Sequence, residues 1–92
     1  MGEREKTGVF QVGVRQVRDV AEALRYVYAA LRERGYNAED QLVGYLVSGD
    51  PTYITSHKDA RTVIRQVDRD RVLEELVKTY VETRLGGNLD SR

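Results

Sequence analysis

Three kinds of side chain in this 92-residue chain have the chemistry to act on something else: paired carboxylates, a single histidine and a row of arginines. The carboxylates fall as Glu74–Glu75, Asp68–Asp70 and Asp50–Asp59. Acid–base catalysis needs such groups to converge on one substrate atom beside a nucleophile and an orienting partner. Neighbouring helix residues diverge by about 100°, and no such set accompanies the pairs, so they read as the solvated face of acidic helices. His57 sits in Ser56-His57-Lys58-Asp59-Ala60-Arg61. A free imidazole titrates near pH 6.5, roughly, so a general base is chemically open. The setting also fits a polar residue near a helix start. Gly44 and Gly49 follow no strand and lack the Lys-Ser/Thr pair of a phosphate loop.

The basic row is the stronger signal. Arg61, Arg65 and Arg69 are spaced i, i+4 and i+8 behind Lys58, and share one face if the helical phase continues. Guanidinium groups clamp phosphates or carboxylates in bidentate geometry. The alternative is a solvated face balanced by Asp68, Asp70 and the acidic last helix. Thr7 is a candidate of another kind. It follows Arg4 and Lys6 in a stretch without helical pattern, as a kinase acceptor must, whereas Thr62 and Thr79 fall inside predicted helices. A phosphate there adds about −1.5 to −2 charge to a chain whose 15 basic and 15 acidic residues cancel.

That zero balance argues against gripping nucleic acid or an acidic membrane through bulk charge. The absence of cysteine excludes disulfide frameworks, thiolate metal sites and thiol nucleophiles. One histidine cannot build a His-rich site, so neither metal nor cofactor is expected. No apolar run, Val27 to Leu31 included, approaches the roughly 20 residues that span a bilayer. Met1-Gly2-Glu3-Arg4-Glu5-Lys6 has no apolar stretch behind it of the kind a secretory signal needs. A cytoplasmic protein is expected.

The elements that must position these groups are helical. Val17, Val20, Ala21, Leu24, Val27, Tyr28 and Leu31 make a stripe at helical period and predict a first helix over about 15–34, ended by Gly35. Asn37 is an N-cap for a second, buried helix through Leu42, Val43, Leu46 and Val47. Gly44 inside it implies close approach of another helix. Ser48-Gly49-Asp50-Pro51 ends it, and Pro51 opens a one-turn helix capped by Asp50. A third helix is expected over 58–66, with Ala60, Val63, Ile64 and Val67 inward. Asp68 caps a fourth, striped by Val72, Leu73, Leu76, Val77, Tyr80 and Val81 and stopped by Gly86-Gly87. Tyr28 and Tyr80 fall on apolar stripes and are expected in the core; Tyr26, Tyr36, Tyr45 and Tyr53 are candidates for an interface border. The fold class is all-α: four main helices plus a short turn. Residues 1–14 form a flexible tail, 15–86 a helical dimerisation domain and 87–92 a frayed end. A single core this small supplies only about 3–5 kcal/mol, so a homodimer is expected. Val20, Leu24, Tyr28, Leu31, Leu42, Leu46, Leu73, Leu76, Val77 and Tyr80 would form its core and seam.

The middle of the chain is more specific than any short motif. Gly35-Tyr36-Asn37, Gln41 through Pro51, Tyr53-Ile54, His57-Lys58-Asp59-Ala60-Arg61, Ile64-Arg65 and Glu74-Glu75-Leu76-Val77-Lys78 resemble the IreB/ReoM-type regulatory phosphoproteins of Gram-positive bacteria. The resemblance implies a non-enzymatic, all-helical homodimer. It implies that a tail threonine, here Thr7 shortly before Phe10, is phosphorylated by a transmembrane Ser/Thr kinase with PASTA domains. It further implies control of peptidoglycan precursor synthesis through ClpC/ClpP-dependent degradation of UDP-N-acetylglucosamine 1-carboxyvinyltransferase, relieved by phosphorylation. His57, Lys58, Arg61, Arg65 and Arg69 would contact partners. The chain departs from the family at Thr55-Ser56, where Pro-Arg is usual, and at Gln66, where arginine is frequent. Two rival readings are a helical nucleic-acid-binding module using the arginine row, and an enzyme built on His57.

Overall fold

The structure, a computed structural model, describes residues 16–86. Among these the chain is helical throughout its regular elements: α1 (Val20–Glu33), α2 (Ala38–Ser48), two single 3-10 turns (Pro51–Tyr53 and His57–Asp59), α3 (Ala60–Ile64) and α4 (Arg69–Arg84). The all-α expectation holds. The segments 1–15 and 87–92, with the expected tail, Thr7 and the frayed end, lie outside the described residues.

α1 starts later than its stripe suggested. Asp19 adopts extended dihedrals and its carboxylate accepts the Glu22 N–H at 2.9 Å. Glu22 in turn accepts the Arg18 N–H at 3.0 Å. This reciprocal cap fixes the first helical residue at Val20, so Val17 lies before the helix and packs half-buried on the core. Asn37 caps α2 as expected, taking the Asp40 N–H at 3.0 Å. Gly49 ends it at φ 78°, the left-handed region that glycine enters without a Cβ clash. Asp50 caps the Pro51 turn through the Thr52 N–H.

The third helix is a correction. Residues 58–66 do not form one continuous helix: Lys58 and Asp59 are left-handed, at φ 54° and 61°, and α3 proper is only Ala60–Ile64. A second correction concerns Gly44. The group that approaches it is the Tyr53 ring from the Pro51 turn, which a Cβ would overlap, and not another helix.

The core is a seam between α1 and α3, closed by the α2–α3 connection and the start of α4. Ala23 and Ala30 on α1 and Ala60 on α3 are buried, and such small residues let helix axes approach closely. Val27, Leu31, Ile54, Val63, Ile64 and Val72 are fully buried between them. Burial of each contributes roughly 1.5–3 kcal/mol. Ile54 lies in no helix, yet is as inaccessible as any core residue. Ile54→Ala should therefore lower the unfolding free energy by about 2–4 kcal/mol. Urea denaturation checks this, and a loss under 1 kcal/mol would show that the connection is not part of the core.

Candidate functional site

The His57–Asp59 turn is a sharp corner at the end of α1. Its two left-handed, non-glycine residues each cost on the order of 1–2 kcal/mol, so the surroundings must hold them. Tyr26 donates its hydroxyl to the Lys58 carbonyl at 2.7 Å. The His57 N–H reaches Thr55 Oγ1 at 3.1 Å and the Asp59 N–H reaches the Ser56 carbonyl at 3.0 Å. Glu33, the last residue of α1, meets His57 Nε2 at 2.8 Å and Lys58 Nζ at 3.1 Å. The hydrogen bonds from His57 and then Lys58 hold the Glu33 carboxyl below the usual glutamate range. Its contribution to the corner is thus present at neutral pH and fades as the pH falls through the lowered value. His57 and Lys58 are brought together here, with one imidazole nitrogen committed to Glu33.

The arginines separate. α3 ends at Ile64 and Arg69 opens α4 after a bend, so the i, i+4, i+8 row does not run along one helix. Arg61 donates Nε to the Ile54 carbonyl at 2.9 Å. Arg69 donates Nη1 to the Leu46 carbonyl at 2.8 Å, and its guanidinium lies over Gly49, where a Cβ would come within 2.9 Å of Cζ. Both carbonyls lack a helical donor, and an unpaired carbonyl beside the core is costly. Arg65 differs: it is exposed and has no hydrogen bond or ion pair to another described residue. Asp50, beside Arg61, has its carboxyl lowered chiefly by the Thr52 N–H and hydroxyl and less by the arginine.

The apolar seam divides in the same way. Val20, Leu31 and Leu46 are buried, and Leu24, Tyr28 and Leu42 are half-buried. Tyr28 ties α1 to α2 by donating to Glu39 at 3.1 Å, with Arg32 stacked 5.8 Å from its ring. On α4 only Val72 of the described stripe is buried. Leu73, Leu76, Val77 and Tyr80 are 43%, 42%, 63% and 59% exposed, so within one subunit Tyr80 is not core. Tyr45, expected at an interface border, is buried. Between α1, α2 and α4 runs an apolar groove of about 450 Å3, lined by Leu24, Tyr28, Ala29, Leu42, Leu46 and Leu76. Sequence reasoning missed Tyr26 and Glu33 as the residues that hold the corner, because their partners lie 32 and 25 positions away. Among the described residues no group of histidine and carboxylates could hold a metal ion, and no helix is long and apolar enough to cross a membrane.

Two arginines with different duties should respond differently to truncation. Arg69→Ala removes a charged donor from a part-buried carbonyl and should cost about 1–2 kcal/mol. Arg65→Ala should stay within about 0.5 kcal/mol, as surface changes do. Thermal unfolding of both variants checks this, and equal losses would contradict the assignment.

Known proteins can be set against this geometry. The chain is 51% identical over 81 residues to a UPF0297 protein of Acetivibrio thermocellus, covering 88% of this chain and 90% of that one. Residues 5–82, which span the corner, the arginines, the groove and Thr7, match the IreB regulatory phosphoproteins. The chain belongs to the IreB regulatory phosphoprotein family.

Proposed function

We propose that this protein is a non-enzymatic regulatory adaptor, a homodimer whose Thr7 is the substrate of a PASTA-type Ser/Thr kinase. It acts in the cytoplasm of a Gram-positive cell, where it controls peptidoglycan precursor synthesis. Its client is UDP-N-acetylglucosamine 1-carboxyvinyltransferase, delivered to ClpC/ClpP by the unphosphorylated form. The observation that carries this reading is the family match, because it extends to residue 5 and so includes Thr7. Two threonines inside helices fit less well. Thr62 and Thr79 lie within α3 and α4, where a kinase cannot draw the chain into an extended strand without unfolding a helix.

The homodimer is supported by α4. Four large apolar side chains in a row along a helix, beside an apolar groove, are more than solvated helices usually show. The groove and the stripe share Leu76, so a second copy related by a two-fold axis covers both at once. The partner face is the corner and its continuation: His57, Lys58, Arg61, Arg65 and Arg69. The nucleic-acid reading is disfavoured because the 15 basic and 15 acidic residues cancel and leave no bulk charge to grip phosphates.

Two measurements test this. Intact-mass analysis of the protein from cells with and without the kinase should show one kinase-dependent phosphate, absent in Thr7→Ala, and client levels in Thr7→Ala cells should no longer respond to the kinase. A phosphate that survives Thr7→Ala rejects Thr7 as the acceptor. For the dimer, Leu76→Asp with Val77→Asp should shift the protein from two copies to one in sedimentation equilibrium while the helical circular dichroism persists. A wild-type chain that is folded and monomeric at micromolar concentration would end the dimer reading.

A further inference from the structure

We propose that phosphorylation of Thr7 docks the N-terminal segment onto its own subunit, with the phosphate held by Arg65 and the uncommitted end of Arg61 on the exposed face of α3. This rests on the reading of Thr7 as the acceptor and adds how the phosphate is read.

The argument begins where the segment leaves the fold. The Val17 N–H donates to Gln66 Oε1 at 3.0 Å, and Val17 packs half-buried on the core. The segment is therefore anchored beside the residue that follows Arg65. Thr7 lies ten positions before Val17. Such a length spans at most about 33–36 Å when extended, and about 16–19 Å on average as a flexible chain. The α3 face is within that reach, so the effective concentration of a phosphate there is high.

Charge selects the face. Arg61 and Arg65 are one helical turn apart, so their side chains emerge on the same side. Arg61 spends Nε on the Ile54 carbonyl and keeps both Nη groups for a second acceptor. Arg65 has no partner among the described residues. No acid occurs between Asp59 and Asp68. Asp50 also lies against Arg61 and offsets part of its charge, although Thr52 takes one carboxylate oxygen, so Arg65 carries most of the attraction. The competing hollow at the root of the segment contains Arg18 and Arg71 together with Asp19 and Asp68, so its charges cancel. A dianionic phosphate gains charge-assisted, bidentate hydrogen bonds at Arg61 and Arg65, and meets balanced charge in the hollow. Once docked it covers Arg65, and a partner that reads the same guanidinium is excluded.

The test uses the full chain with phosphothreonine incorporated at position 7 during synthesis, so that no kinase is needed. Its second phosphate ionisation, followed by phosphorus NMR, should lie about 0.5 pH unit or more below that of a phosphorylated 1–15 peptide. Arg65→Ala should remove at least half of that difference, while Arg18→Ala with Arg71→Ala should leave it. Identical titration of chain and peptide overturns the proposal, and so does a shift that survives Arg65→Ala or vanishes with Arg18 and Arg71. In a mixed dimer of phosphorylated Arg65→Ala chain and unphosphorylated wild-type chain the shift should stay reduced; its return would overturn docking to the same subunit. A cellular phosphate mapped elsewhere than Thr7 would instead remove the acceptor reading, and leaves the titration unaffected.

Discussion

The connection from α2 to α3 sets the main constraint on this molecule. It carries a core residue, Ile54, through a stretch that has no helix to satisfy its backbone. Carbonyl groups at Ile54 and Lys58 therefore need donors from elsewhere, and Arg61 and Tyr26 supply them, while Arg69 serves the Leu46 carbonyl in the last turn of α2. Gln41 does the same for the Tyr53 carbonyl at 2.8 Å. The bonds to Ile54, Lys58 and Tyr53 tie the connection to α3, α1 and α2, and the bond to Leu46 ties α4 to α2. The loop is thus fastened at several points while its one large apolar side chain remains in the core.

This fastening divides the cations by duty. A guanidinium that satisfies a loop carbonyl is fixed in place and only part of it remains for another molecule. One that has no such task keeps its full set of donors. Arg65 is of the second kind and Arg69 of the first, although the two are equivalent in residue type and spacing. The corner at His57–Asp59 shows a related economy. Two left-handed residues shorten the path into α3, and Glu33, at the end of α1, holds both basic side chains of that turn. Because Glu33 sits at the end of a helix whose other face is the α1–α3 seam, the corner and the core are built on one element.

The apolar surface follows the same logic at the scale of the fold. α1 buries Val20, Val27 and Leu31 in the core, while Leu24 and Tyr28 of the same stripe stay half-buried beside the groove. α4 buries Val72 and then runs on with Leu73, Leu76, Val77 and Tyr80 uncovered. The two helices have similar stripes in sequence but different positions in the fold. The short α3, five residues long, packs chiefly on α1.

The helices and most of their ends were legible in the sequence because local chemistry fixes them. Asn37 and Asp50 act as caps, Gly49 takes the left-handed bond, and the period of apolar residues along α1 gives most of its buried face; α2, expected to be buried through Leu42, Val43, Leu46 and Val47, instead leaves Val43 and Val47 exposed. The family was legible too, since the run from Gly35 to Tyr80 is long and specific. Tertiary structure alone decided the rest. Whether the helix continued through Lys58 depended on Tyr26 and Glu33, which are distant in the chain. Whether an arginine was free or spent depended on which carbonyl lay beside it. Whether a stripe was core or seam depended on what packed over it. Periodicity records that a face is apolar or basic; only the arrangement of the other helices determines what that face meets.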